Sequence, residues 1–493
     1  MKLSVLITFL LLISLTLFSS HTPKADTAFP NIIYILADDL GYGDVSALNP
    51  QAAWKTKQID RIAAEGMVFT DAHSGSAVCT PTRYGVLTGR YAWRTRLKKG
   101  VLWSWDPPLI EPAETTAGSL LQAKGYHTAC IGKWHLGLGW QFQDAENEVA
   151  DFSLPVSGGP VNLGFDHFFG ITASLDIPPY VYIEDDLATM VPESYTRNDS
   201  KMSWWRKGLT SEDFDHQLVL PLLTKKAVSY IDQQARSDNA QPFFLYFPLP
   251  APHTPILPLD EFKGKSKTNA YGDFVLQVDH VVGQILEALE RNGIKDETLL
   301  IFTSDNGCSP EADFDGLSAY GHNPSYNFRG AKSDIFEGGH RIPFLVSWPG
   351  QVKPGGKSAQ TICLTDLLAT LAAITGYDLQ ASEGVDSYNL LPAMLGNSEE
   401  NIREATVHHS VNGSFAIRKG PWKLILCPDS GGWSTPLPGS QEAGNLPAYQ
   451  LYNLEEDPGE QDNLYPSRPE IALELETLLT EYKDAGRSTP LNR

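Results

Sequence analysis

The chain has 493 residues, of which 42% are hydrophobic and 20% charged, and its formal net charge is -21. That length can bury a large core and divide into more than one domain, and the composition is globular rather than disordered. The acidity argues against a nucleic-acid binder, and it requires any anion site to be a local cluster of cations.

The first residues, MKLSVLITFLLLISLTLFSS, combine Lys2 with an apolar run from Leu6 to Phe18. This is the pattern of a secretory signal peptide over residues 1–20, with cleavage between 20 and 28. The run is short for a stable membrane span, and no cysteine follows it to carry a lipid. A secreted or periplasmic protein without a membrane span is expected.

Residues 31–37, NIIYILA, are continuously apolar and rich in β-branched side chains, as in a strand buried on both faces. Similar runs are TACI (128–131), FFLYF (243–247), TLLIFTS (298–304) and FLVSW (344–348). Helical patterns lie between them. In residues 272–293, Phe274, Val278, Val281, Ile285 and Leu289 share one face, and Gly293 ends the pattern. Residues 114–126 and 365–376 read the same way. The alternation predicts an α/β fold with a large mixed, mostly parallel sheet sandwiched by helices over residues 29–376. From 377 to 493 the pattern becomes a smaller α+β domain: a hairpin over 414–427, a Gly, Ser and Pro-rich loop over 429–447, and an amphipathic helix over 472–486.

Ligands of open α/β sheets gather beyond the carboxyl ends of strands. Asp38 and Asp39 follow one predicted strand, and Asp305 and Asn306 follow another. Three carboxylates and an amide are the oxygen donors that a hard cation such as Ca²⁺ or Mg²⁺ requires. Each pair taken alone reads more simply as a turn or a cap, but two pairs at strand ends point to a metal.

The five cysteines are an odd count and too few for a disulfide framework. Cys130, Cys363 and Cys427 lie in apolar runs and read as core thiols, whereas Cys79 lies among polar residues in AVCTPTRYGVLTGR (77–90). Thr80 can cap a helix, Pro81 suits its first position and Gly89 its end, so Cys79 falls at a helix N-terminus, which favours anions. Arg83 lies about one turn on. Lys133 and His135 in GKWHLG fall two apart on an extended segment and share a face. His253 in PAPHTP and Lys332 in RGAKSDIFEGG complete the candidates, each of which, taken singly, reads more simply as a surface or satisfied side chain.

C-x-P-x-R followed by LTGR resembles the signature of the type I sulfatases of the alkaline phosphatase superfamily. ADDLGYGD, GKWHLG, APHTP, TSDNG, RGAKSDIFEGG and LYNLEEDPGE resemble further landmarks of that family, in the same order and over nearly the whole mature chain. The resemblance implies that a separate formylglycine-generating enzyme oxidises Cys79 to Cα-formylglycine (3-oxoalanine), whose hydrate attacks sulfur and is then released by collapse to the aldehyde. It implies one Ca²⁺, with Mg²⁺ second, held by Asp38, Asp39, Asp305, Asn306 and the modified Cys79. Arg83 and Lys133 would steady the hydrate, His135 would take the proton for its collapse, and Lys133, His253 and Lys332 would contact the sulfate, with His253 the acid toward the leaving alcohol. Ser174 in GITASLD aligns beside the hydrate.

Sulfated carbohydrates are the substrate class the resemblance implies. Trp103, Trp105, Trp204 and Trp205 could form a sugar platform or simply pack in the core, and His322 with Asn323 could read the sugar beside the sulfate. Asn198 and Asn412 begin glycosylation sequons. The nearest alternative is a phosphate-monoester or phosphonate hydrolase of the same superfamily, disfavoured by the single oxygen-ligand set. A non-catalytic carbohydrate-binding scaffold would have lost polar landmarks. A Cys-His hydrolase would leave the aspartate pairs without a task.

Overall fold

The computed structural model describes residues 29–490 except 145, 147, 148, 238–240 and 399. The signal-peptide reading of residues 1–20 lies outside the described residues. Among these, no helix is long and apolar enough to cross a membrane.

Ten strands form one mixed sheet. Its five central members, in spatial order Thr298–Ser304, Asn31–Asp38, Phe243–Pro252, His127–Lys133 and His167–Ile171, are mutually parallel, and antiparallel pairings flank them on both sides. The central strand shows why the apolar run had to be continuous. Ile32, Tyr34 and Leu36 point into one core, and Ile33, Ile35 and Ala37 into another on the opposite face. Helices Val219–Arg236 and Ala270–Arg291 cover the second face, and Ala117–Ala123 and Leu367–Thr375 the first. In the helix Ala270–Arg291, Asn269 caps the start by accepting from the Gly272 N–H, and Gly293 follows the end with φ 67°.

A separate antiparallel sheet runs Thr406–His409, Phe415–Lys419, Trp422–Ile425 and Gln450–Asn453, with the helix Pro469–Asp484 packed on it. The expected hairpin is its middle pair, turning at Gly420 and Pro421.

Parallel strands send all their carboxyl ends to one edge of the sheet. Asp38 and Lys133 end their strands there, and His253 and Asp305 come directly after theirs. Residues far apart in sequence therefore meet along one line.

Candidate active site

Cys79 begins the helix Cys79–Thr88, whose ten residues are all buried. The start differs from the expected one: Val78, in extended conformation, is the N-cap, so Cys79 is the first helical residue and Pro81 the third. Thr80 makes no cap, and its hydroxyl accepts from the Leu102 N–H instead. The shift sets the side chain of residue 79 directly at the helix end. Gly89 closes the helix with φ 63°, where an added Cβ would lie 2.8 Å from Ser387.

The Cys79 thiol lies 3.3 Å from His135 Nδ1, and His135 Nε2 lies 3.0 Å from the Leu102 carbonyl oxygen. A carbonyl only accepts, so Nε2 carries the hydrogen and Nδ1 is the free base facing residue 79. Burial, reinforced by the Lys133 and Arg83 charges, holds this imidazole well below its usual range. Burial likewise pushes the Cys79 thiol up, against the pull of Lys133 and Lys332. Lys133 and His135 do not share one extended face, because the strand stops at Lys133 and His135 turns with φ 57°. That turn carries the ring to the thiol.

Carboxylates and cations alternate behind the thiol. Lys133 Nζ donates to Asp38 Oδ2 at 2.7 Å and Lys332 Nζ to Asp39 Oδ2 at 2.8 Å. Arg83 donates through Nε and Nη2 to Asp305 Oδ2, at 3.0 and 2.8 Å, and through Nη1 to the Lys133 carbonyl. His253 Nε2 stands 3.6 Å from Asp39 Oδ2. Burial opposes ionisation of Asp38, but Lys133, His253, Arg83 and Lys332 outweigh it and hold its carboxyl well below the usual range. Asp305 is pushed up by burial and by the Asp38 charge, against the pull of Arg83. Burial would lower Lys332, yet Asp39 foremost keeps its ammonium firmly protonated.

Asp39 has φ 64°, a left-handed conformation that a short polar side chain tolerates at a cost of about 1 kcal/mol. It turns the second carboxylate toward the first. At Gly307 an added Cβ would lie 1.9 Å from the Gly338 carbonyl oxygen, so glycine lets the Asp305–Gly307 turn meet the segment after Lys332.

The donor set suits a hard cation. Asp38, Asp39 and His253 each bring one ligand atom within 4.8 Å of the others. Asp38 Oδ1 and Asn306 Oδ1 are buried and have no hydrogen-bond partner. Unpaired buried oxygens cost roughly 1–3 kcal/mol each, and a cation among them would remove that cost.

One cavity of about 620 Å³ opens over this centre, lined by Cys79, His135, Ser174, His253 and Lys332, with a rim that includes Trp103, Trp204 and Trp433. His322 is not there. Its ring is buried against Trp54 with centroids 3.9 Å apart, Nε2 bonds Asp44 Oδ1 at 2.9 Å and Nδ1 accepts from the Ala53 N–H. It buttresses the ADDLGYGD turn, where the Tyr271 hydroxyl also reaches the Asp39 carbonyl. Asn323 likewise turns away, donating to the Tyr326 carbonyl oxygen. Of the four candidate platform tryptophans, Trp105 packs on Trp140 and Phe152, and Trp205 stacks on His216. Sequence reasoning missed Asp176, Arg206 and Trp433 in the lining. Trp433 reaches the cleft from the Gly, Ser and Pro-rich loop because its N–H bonds Ser333 Oγ and Asp334 Oδ1, beside Lys332.

Such a pocket suits an ester of a small oxyanion, with fixed cations for the oxygens and carboxylates for a metal. Comparison with known proteins narrows the class. The chain belongs to the sulfatase family, whose model matches residues 30–377, and it is a sulfuric ester hydrolase. It is 34% identical to an N-acetylgalactosamine-6-O-sulfatase of Bacteroides thetaiotaomicron, over 92% of this chain and 93% of that one. It is 32% identical to arylsulfatase A of Homo sapiens, over 88% and 83%. A solved 6S-sulfatase from work on glycosaminoglycan metabolism by Bacteroides thetaiotaomicron superposes with a TM-score of 0.81 at 33% identity, covering 93% of this chain and all of that one.

Proposed function

We propose that this sulfatase is exported and hydrolyses sulfate esters of carbohydrates, with a formylglycine made from Cys79 by a separate enzyme as nucleophile and one Ca²⁺ as metal. The observation that carries the reading is Cys79 at a buried helix N-terminus, facing the unprotonated Nδ1 of His135 and backed by Lys133 and Lys332. A thiol destined to remain a thiol gains little from a base and two ammonium groups while burial still raises its pKa.

Asp38, Asp39, Asp305 and Asn306, with the modified residue 79, would hold the cation, which lowers the pKa of a bound hydroxyl and neutralises developing charge. The chain's own residues do the rest. Lys133, Lys332 and His253 donate to the sulfate oxygens and fix the sulfur before the nucleophile. Arg83, paired to Asp305 and to the Lys133 carbonyl, keeps residue 79 and that lysine in register. His135 Nδ1 accepts the proton of residue 79, and His253 gives one to the leaving alcohol. Ser174 lines the wall beside them. Preorganised donors in a site that excludes water are the largest expected source of rate. Residues 29–376 form the catalytic unit in this reading, and residues 377–493 complete the rim through Trp433.

Enzyme made in a host that converts the cysteine, supplied with Ca²⁺, should hydrolyse 4-nitrophenyl sulfate and N-acetylgalactosamine 6-sulfate. Faster turnover of 4-nitrophenyl phosphate than of either sulfate would overturn the reading in favour of a phosphate-ester hydrolase.

A further inference from the structure

The rim carries an arginine held on three sides. The Arg206 guanidinium lies 5.0 Å from the Trp103 ring centroid and 4.8 Å from that of Trp204, and Nη1 pairs with Asp176 Oδ2 and with the Asp176 carbonyl oxygen at 3.2 Å. The clamp is itself fixed. The Trp103 N–H donates to Asp106 Oδ2 at 2.6 Å, and Trp204 Nε1 donates to Glu311 Oε2 at 3.3 Å. Asp176 is buried, and the Tyr180 hydroxyl also donates to its carbonyl oxygen.

Two consequences follow. The indole faces turned to Arg206 are covered by the guanidinium, so Trp103 and Trp204 serve as a holder for a cation rather than as an open sugar platform. The guanidinium, in turn, uses only Nη1, and among the described residues Nε and Nη2 have no acceptor, while about 41% of the side chain stays exposed. An arginine ordinarily loses about 2 kcal/mol of rotamer entropy on being fixed, and the clamp has met that cost before any ligand arrives. Two parallel N–H groups on a rigid, planar, weakly hydrated cation match the paired oxygens of a carboxylate or a sulfate. Lys99 stands on the same rim. Asp176 and Glu311 line the same cavity, so the rim's charges balance, and it is the open N–H pair of Arg206 rather than net charge that would receive an anion.

We propose that Arg206, clamped by Trp103, Trp204 and Asp176, binds a second anionic group of the substrate, so that the enzyme prefers saccharides carrying a carboxylate or further sulfate besides the sulfate it removes. The inference rests on the sulfated-carbohydrate reading and names the substrate class more closely. The cavity joins Arg206 and Cys79 in one space, and its volume of about 620 Å³ lies in the middle of the roughly 300–1,000 Å³ range of ligand pockets.

The test compares kcat/KM for three probes: N-acetylgalactosamine 6-sulfate, its 4,6-disulfate, and the 6-sulfate linked to glucuronate. A charge-assisted hydrogen bond predicts that the wild type favours one of the doubly anionic probes by about tenfold or more. The probe that is favoured tells a second sulfate from a carboxylate. Arg206→Gln should bring that ratio to within about threefold of unity, and Arg206→Lys should leave it in between, since a point charge cannot bond bidentately. A wild type indifferent to the second anion, or a glutamine variant that keeps the preference, overturns the inference while the sulfated-carbohydrate reading stands. A wild type that turns over 4-nitrophenyl sulfate but none of the three saccharides overturns both.

Discussion

Two clusters of buried charged side chains differ in how their polar atoms are paired. At the carboxyl edge of the large sheet, Arg83, Lys133 and Lys332 meet Asp38, Asp39 and Asp305, yet Asp38 Oδ1, 3.5 Å from Arg83 Nη2, and Asn306 Oδ1 have no hydrogen-bond partner. At the small sheet, His73 Nδ1 lies 3.1 Å from His340 Nδ1, His73 Nε2 lies 2.9 Å from Asp71 Oδ1, and Lys423 Nζ lies 3.0 Å from His340 Nε2. Arg418 Nη1 also lies 3.0 Å from His73 Nε2, and the Ile335 carbonyl oxygen 3.2 Å from His340 Nε2, so every ring nitrogen of the pair has polar neighbours. Burial lowers both imidazoles and favours their neutral forms. His73, His340 and His408 stand close enough to hold a metal, but these contacts already occupy both nitrogens of two of the three rings. Burial and charge are common to both regions. At the sheet edge, Asp38 Oδ1 and Asn306 Oδ1 lack a hydrogen bond and fit a cation, whereas at the small sheet Glu460 Oε1, which also lacks one, faces the Lys423 ammonium at 2.8 Å.

Breaking each region should therefore have opposite effects. Cys79→Ala should lower kcat for an aryl sulfate by at least ~10⁴-fold, because it removes the proposed nucleophile, while the thermal unfolding midpoint stays near that of the wild type. Near-normal activity would refute the role of residue 79. Lys423→Met should do the reverse. Lys423 is fully buried between Glu337 Oε1 at 3.0 Å and Glu460 Oε1 at 2.8 Å. Removing it leaves buried carboxylates uncompensated, at a cost of about 3–5 kcal/mol. Denaturant unfolding should show that loss, while kcat of the folded fraction stays unchanged. A fall in kcat with stability intact would mean that the small-sheet cluster belongs to the reaction.

The smallest effect concerns pH. His216, stacked on Trp205, is lowered from 6.5 to about 4, chiefly by burial. A depressed folded-state pKa contributes stability above the unfolded value, and that contribution is lost as pH falls toward the folded one. The unfolding midpoint should therefore drop between about pH 6.5 and pH 4. His216→Phe, which keeps a ring against Trp205, should flatten part of that slope. An identical slope in the variant would show that other groups carry it.

The parallel core was legible because a strand buried on both faces must be apolar at every position, as residues 31–37 are. Asp38, Asp39, Asp305 and Asn306 could be gathered because parallel strands end on one edge, whereas Lys133 and His253 join them only through the family resemblance. The start of the Cys79 helix fell two residues from its expected place, since Thr80 and Pro81 carry cap and first-turn preferences that the tertiary contact of Thr80 with Leu102 overrides. The rim was the least legible part. Arg206 acquires its setting from Trp103, about a hundred residues earlier in the chain, and Trp433 from Ser333 and Asp334. No local pattern encodes such pairings. His322 misled because its sequence neighbours suggest the cleft, whereas its ring serves Asp44 and Trp54.

The central claim is that Cys79 does not remain a thiol in the working enzyme. Mass spectrometry of the proteolytic peptide spanning residue 79, from protein of the native host, tests it most directly. Exchange of sulfur for oxygen with loss of two hydrogens predicts a peptide about 18 Da lighter than the cysteine form. A peptide at the unmodified cysteine mass from fully active enzyme would contradict the account.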